Sequence, residues 1–247
     1  MHTQLIIDNK EVPSVTGKIF EKRSPITGHI VSTGAAANVE DALTIADSSL
    51  KAFKAWSAST PTERRALLLR AADLIDSKVE KFIETMAAEV GASQLWAGFN
   101  VAAASNIFRE AASLATQIQG VTLPTDKPNS LSMTIRQPVG PCLSIVPWNG
   151  PIILAARAIA YPLVCGNSVI FRASEVSPMT HRLIADAVYE AGLPAGVLNF
   201  ITTAAEDAPE VIDALIAHPA VRRINFTGST AVGRIIALKA MFARARR

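Results

Sequence analysis

Hydrophobic residues change their rhythm along this chain, and each rhythm predicts a different kind of element. Residues 4–7 and 11–15 read as short strands around the polar turn DNKE, with SPITGH as a second turn. From residue 39 to 55 apolar side chains fall at 39, 42, 43, 46, 50 and 53, the one-faced spacing of a helix. The next segment, STPTERRALLLRAADLIDSKVEKFIETMAAEVG, continues in helical period. Thr60 or Thr62 can cap it, Pro61 suits its first turn, and Gly91 suits its stop. A third helix is predicted over 93–118; rich in Ala and poor in charge, it should be buried on more than one side. GVTLPTDKPNS is a loop, and LSMTIRQP alternates like a strand.

Beyond residue 140 the pattern becomes strand, helix, strand, helix. Strands are predicted at 142–147, 168–172, 197–202 and 221–226, with helices at 151–164, 178–191, 207–217 and from 229. The strands are unbroken apolar runs, as expected when helices cover both faces of a parallel sheet. The fold class is therefore α/β, with βαβ units. In such sheets ligands bind where the carboxyl ends of strands meet helix N-termini.

The chain has 247 residues, 49% of them hydrophobic, enough for a substantial core. The longest apolar run, 151–166, is broken by Arg157 and Pro162, so no membrane partner is expected. The start, MHTQLIIDNKEV, has no secretory pattern, which points to the cytoplasm. Cys142 and Cys165 both sit among apolar neighbours and predict buried packing rather than a disulfide. Four scattered histidines lack metal-ligand spacing, so no metal site is expected. The formal charge is +3, yet Arg244, Arg246 and Arg247 crowd the last seven residues. The balanced body gives no case for nucleic acid.

Three stretches fall at the predicted carboxyl edge. In NFTGSTAVGR, Gly228 permits a tight turn, and Ser229 and Thr230 can cap a helix whose positive end seats phosphate; an ordinary capped helix is the plainer reading. The pair following Gly233 is Arg234-Ile235 rather than Lys then Ser or Thr, which disfavours ATPase chemistry. In VIFRASEVSP, Glu175 can accept from both hydroxyls of a ribose beside Arg172; a solvated ion pair is the alternative. In SIVPWNGP, Pro147 and Pro151 fix the backbone around Asn149, whose amide is a suitable donor to a developing oxyanion. Trp148 in that turn needs a partner for its indole if it is buried.

Together VPWNGP, FRASEVSP, AGLPAGVLN and INFTGSTAVGR stand in the order and spacing of the NAD(P)-dependent aldehyde dehydrogenases, and residues 4–239 resemble that family. Within it, the sequence is most similar to members acting on aromatic aldehydes of the salicylaldehyde kind. The resemblance implies a Rossmann-like doubly wound fold and oxidation of an aromatic aldehyde to its acid, with hydride passed to NAD. It implies that Asn149 stabilises the oxyanion and that Val146, Pro147 and Trp148 pack on the nicotinamide half. Arg172, where a lysine is usual, and Glu175 would meet the adenine ribose. Phe226, Gly228 and Ser229 would lie under the pyrophosphate, with Val232 near the adenine. Glu175 opposes a 2′-phosphate and favours NAD; Arg172 leaves NADP open. Gly150 stands where many relatives carry Phe, widening the aldehyde tunnel, and Arg157 where a lysine is usual. Trp96 and Asn100, one turn apart, either line the ring pocket or are ordinary helix core and surface.

The implied organisation is residues 1–130 as N-terminal strands and helices of the cofactor domain, and 131–139 as a strand leading to an oligomerisation region. Residues 140–240 would form the nucleotide-binding βα units, and 241–247 a basic non-family tail. After GRIIALKA the family continues to a general-base glutamate and a nucleophilic cysteine, whereas this sequence reads MFARARR. The expectation is half of a family member, ended by a frame shift or gene break and inactive alone. A non-catalytic nucleotide-binding remnant or interaction module is the alternative. The resemblance also implies a homo-oligomer for the full-length protein.

Overall fold

The computed structural model describes residues 1–245; Arg246 and Arg247, part of the expected basic tail, lie outside the described residues. At its centre is a six-stranded sheet. Strands β8 (Cys142–Ile145), β9 (Val169–Arg172), β10 (Leu198–Ile201) and β11 (Arg223–Phe226) run parallel in the spatial order β11-β8-β9-β10. The predicted βα rhythm is realised by α5 (Pro151–Val164), α6 (Pro178–Glu190), α7 (Ala208–Ala217) and α8 (Thr230–Ala245). The N-terminal hairpin of β2 (Leu5–Ile7) and β3 (Lys10–Val12) extends the sheet antiparallel beyond β10, so the sheet is mixed at one edge. Its turn is the two residues Asp8 and Asn9, both at positive φ, rather than the four of DNKE. Short polar side chains tolerate that left-handed backbone.

Strands β8, β9 and β10 are buried on both faces, and each face builds its own core. Phe171, Phe200 and Ile159 pack with Leu68, Phe82 and Phe108 on one side; Leu143, Ile170 and Ile201 pack with Ile45, Leu215 and Ile236 on the other. This is the doubly wound arrangement expected from the apolar strands.

The first core is closed by α2 (Pro61–Ser77), α3 (Val79–Val90) and α4 (Gln94–Ser113), and the second by α1 (Val39–Ser57). Thr60 caps α2 through a reciprocal capping box with Glu63, and Pro61 occupies its first turn. The single helix expected up to Gly91 is in fact α2 and α3, broken at Lys78 (φ −112°, ψ 19°). Ser77 Oγ donates to the Leu74 carbonyl there, a local bond that competes with the helical ladder. Gly91, at φ +70°, ends α3 as expected.

A second sheet, of β1 (His2–Thr3), β5 (Ile30–Ala35) and β4 (Ile19–Arg23), was not visible in the sequence. It supplies Ser32 to a buried cluster. Glu89, on α3, is fully buried and accepts from Ser32 Oγ, Met179 N (3.0 Å), Thr180 N (2.9 Å) and Thr180 Oγ1 (2.7 Å). The carboxyl thus caps the first turn of α6 from outside, where Ser177 makes no cap bond. Burial pushes its pKa up, against the pull of those hydrogen bonds.

Two expectations are corrected. The strand predicted at 131–139 pairs only at β7 (Ser132–Met133), with β6 (Thr122–Leu123). Leu131, Met133 and Ile135 stay exposed, because nothing among the described residues covers that apolar face. Cys165 is exposed rather than buried, since it follows α5 at the surface, whereas Cys142 is buried as expected. No helix among the described residues is long and apolar enough to cross a membrane.

Candidate active site

The register places Phe226, Ile145, Arg172 and Ile201 in one row across the four parallel strands. The segments that follow them therefore leave the sheet at the same edge. Chain order reverses between β8 and β11, and a crevice opens at such a switch point. Here it is a cleft of about 400 Å³. Val146, Pro147 and Trp148 line it from the end of β8, and Arg172 and Glu175 from the end of β9. Phe226, Gly228, Ser229 and Val232 line it from the turn between β11 and α8. All nine residues expected at a cofactor thus share one cleft. A larger groove of about 680 Å³, between β11 and α8, is walled mainly by apolar side chains such as Ile216 and Ile224 and gathers no comparable chemistry.

Ser229 Oγ accepts from Val232 N at 3.3 Å, capping α8 so that its N-terminus opens on the cleft. Gly228 serves space rather than a left-handed turn: a Cβ there would stand 2.5 Å from Phe226 Cζ, and one at Gly233 would stand 3.2 Å from Cε1. The two glycines make room for the Phe226 ring. Across the cleft, Arg172 is only 7% exposed. Its Nη2 donates to Glu175 Oε2 and to Thr203 Oγ1, each at 2.8 Å, while its buried Nε has no hydrogen-bond partner. Glu175 is therefore half of a part-buried ion pair rather than a solvated one, with its Oε1 left without a partner among the described residues.

Trp148 is 48% exposed, so its indole lines the cleft and needs no buried partner. Asn149 is exposed, and its carbonyl accepts from Trp96 Nε1 at 3.2 Å. Trp96 stacks on Phe99 with ring centroids 5.6 Å apart. Asn100 is buried; its Nδ2 donates to the Trp96 carbonyl at 3.0 Å, and its Oδ1 has no partner. A Cβ on Gly150 would lie 3.7 Å from that oxygen. Trp96, Asn100 and Gly150 are thus brought together beside Asn149. Arg157 is not: it lines a separate cleft of about 360 Å³ with Cys142, Cys165 and Arg223.

Sequence reasoning missed Thr203, Phe99 and His181. Phe99 is one helical turn from Trp96, a spacing that could have exposed it. His181 is fully buried; its Nδ1 accepts from Ser174 N at 3.1 Å. Burial and the nearby Arg172 charge hold its pKa down at about 3, so it is a neutral strut behind the cleft. No cluster fit to hold a metal occurs among the described residues.

The donor set fits a dinucleotide: a helix N-terminus for a diphosphate, a carboxylate with one uncommitted oxygen for ribose hydroxyls, and an indole for a ring. Neither thiol stands with Asn149. Cys142 begins β8 and Cys165 follows α5, both at the opposite edge of the sheet. Burial pushes the Cys142 thiol up to about 11, and the protein around Cys165 raises its pKa too, although that residue keeps solvent access.

The sequence profile of the aldehyde dehydrogenase family matches residues 12–246. A salicylaldehyde dehydrogenase of Pseudomonas putida is 60% identical over 240 residues, 97% of this chain and 50% of that protein. The crystal structure of a salicylaldehyde dehydrogenase from Pseudomonas putida G7 complexed with salicylaldehyde superposes with a TM-score of 0.97 at 59% identity, covering 98% of this chain and 50% of that one. PnpE in complex with nicotinamide adenine dinucleotide is 32% identical with a TM-score of 0.92, covering 98% and 49%. The chain spans about half the length of the relatives it matches.

Proposed function

The chain belongs to the aldehyde dehydrogenase family, and on that premise we propose that it provides the cofactor-binding half of an NAD-dependent oxidation of an aromatic aldehyde. The observation that carries this reading is the gathering of three separate sequence motifs on one cleft at the switch point of the sheet. Ser229 and the α8 N-terminus would hold the diphosphate, Glu175 the adenine ribose, and Val146, Pro147 and Trp148 the nicotinamide. A nicotinamide dinucleotide bound there supplies the hydride acceptor.

Asn149 is assigned as the oxyanion donor. The prolines at 147 and 151 and the Trp96 bond to its carbonyl fix its backbone, which lowers the reorganisation its amide must undergo. The stacked Trp96 and Phe99 rings offer a flat aldehyde an aromatic wall, and Gly150 leaves room beside it. The substrate favoured is an aromatic aldehyde of the salicylaldehyde type, in keeping with the relative solved with that compound. The attacking thiolate such a reaction needs is not assigned to Cys142 or Cys165, which lie at the wrong edge with raised pKa values. The purified chain should therefore form no NADH from salicylaldehyde, followed at its near-ultraviolet absorbance. Adding a separately produced C-terminal half of a salicylaldehyde dehydrogenase should restore turnover. Steady NADH formation by the chain alone would refute this division of roles.

A further inference from the structure

In a doubly wound nucleotide site, an acidic residue beyond the second strand meets the ribose 2′-hydroxyl, whereas an arginine there accommodates a 2′-phosphate. This cleft holds both, three positions apart, at the end of β9. Which one governs depends on how the arginine's donors are committed. One of those donors, Nη2, is committed to Thr203 as well as to Glu175. Thr203 is fully buried beyond the end of β10, and its backbone is anchored by its neighbour. Thr202 Oγ1 donates to the Ala35 carbonyl at 2.6 Å, and the Thr202 carbonyl accepts from Ala37 N at 3.0 Å. The Thr203 hydroxyl is thus a fixed point, and it accepts from Arg172 Nη2, the same nitrogen that donates to Glu175 Oε2.

We propose that Thr203 is a positioning residue: it holds Arg172 on Glu175 and thereby selects a dinucleotide with a free 2′-hydroxyl over one with a 2′-phosphate. The inference rests on the dinucleotide reading of the cleft. With the pair locked, Glu175 Oε1 is left to accept from a ribose hydroxyl. A 2′-phosphate would have to face that carboxylate or pull Arg172 off both partners. Like charge opposes the first and two lost hydrogen bonds oppose the second.

Calorimetric titration of the whole chain with NAD and with NADP, each alone, tests this. Wild type should prefer NAD by about tenfold or more, the worth of one hydrogen bond to a charged group. Thr203→Val keeps the volume but removes the acceptor, and should narrow that ratio by about threefold or more. Thr203→Ser should restore it. Glu175→Gln should abolish the preference, because Arg172 is then free to meet a phosphate. Arg172→Lys, a point charge in place of a fork, should narrow the ratio as well and serves if Thr203→Val does not fold. A wild-type preference for NADP, or a ratio unmoved in Thr203→Val or Arg172→Lys while both nucleotides bind, overturns the proposal. Failure of both nucleotides to bind wild type overturns the dinucleotide site itself.

Discussion

Replacing Glu89 by Ala would strip the first turn of α6 of its carboxylate cap and leave four donors facing a void. The two hydroxyls, on Ser32 and Thr180, can rotate toward other acceptors, but the Met179 and Thr180 amides cannot. Each stranded buried amide costs about 1–3 kcal/mol, so the pair costs about 2–6 kcal/mol. Removing a desolvated carboxylate returns part of that, which leaves a net destabilisation of about 3 kcal/mol. Glu89→Gln keeps one acceptor oxygen and should cost about 1–2 kcal/mol. Urea unfolding at neutral pH, followed by circular dichroism, reads both values as a lowered midpoint at unchanged slope. The pH dependence gives a second check. Burial raises the folded-state pKa of Glu89 above its ordinary 4.5, so the folded state holds this proton more tightly than the unfolded one. Wild type is then most stable, relative to Glu89→Gln, below 4.5, and loses that advantage as pH rises through the folded-state value. An alanine variant within about 0.5 kcal/mol of wild type, the range of an unimportant surface change, would refute the reasoning.

Gly228→Ala should force the Phe226 ring from its seat and cost about 1–2 kcal/mol, seen as a lowered thermal midpoint; an unchanged midpoint would show that the ring has room to spare. In the native chain at mildly alkaline pH, a thiol reagent should titrate Cys165 and leave Cys142 untouched until the protein unfolds. Reaction of both thiols at similar rates would contradict the burial and the pKa of about 11 assigned to Cys142.

The second half of the fold was legible because strands buried on both faces and one-sided helices leave opposite periodicities in the sequence. The N-terminal strands were less so: β4 and β5 are partly exposed and mix charged or polar residues with apolar ones, so no apolar run marks them. Nor did any Gly or Pro mark the break at Lys78, which is set by local bonding. The candidate residues that share the cleft were legible for a topological reason. Glu175, Trp148 and Ser229 lie just past strand ends and Arg172 is the last residue of β9, where a parallel sheet presents its binding edge. Arg157 was a candidate only because it stands where a lysine is usual in the family, and the fold opens it on another cleft, with Leu154 and Cys165. Glu89 and Thr203 could not be foreseen, since each acts on a helix turn or side chain far along the chain. Such contacts depend on register and packing and leave no local trace.

A crystal structure of this chain grown with NAD tests the central claim most directly. The diphosphate should lie over Ser229 at the start of α8, with Glu175 on the adenine ribose and the nicotinamide toward Trp148. A dinucleotide seated instead in the apolar groove between β11 and α8, or none at the carboxyl edge of the sheet, would contradict it.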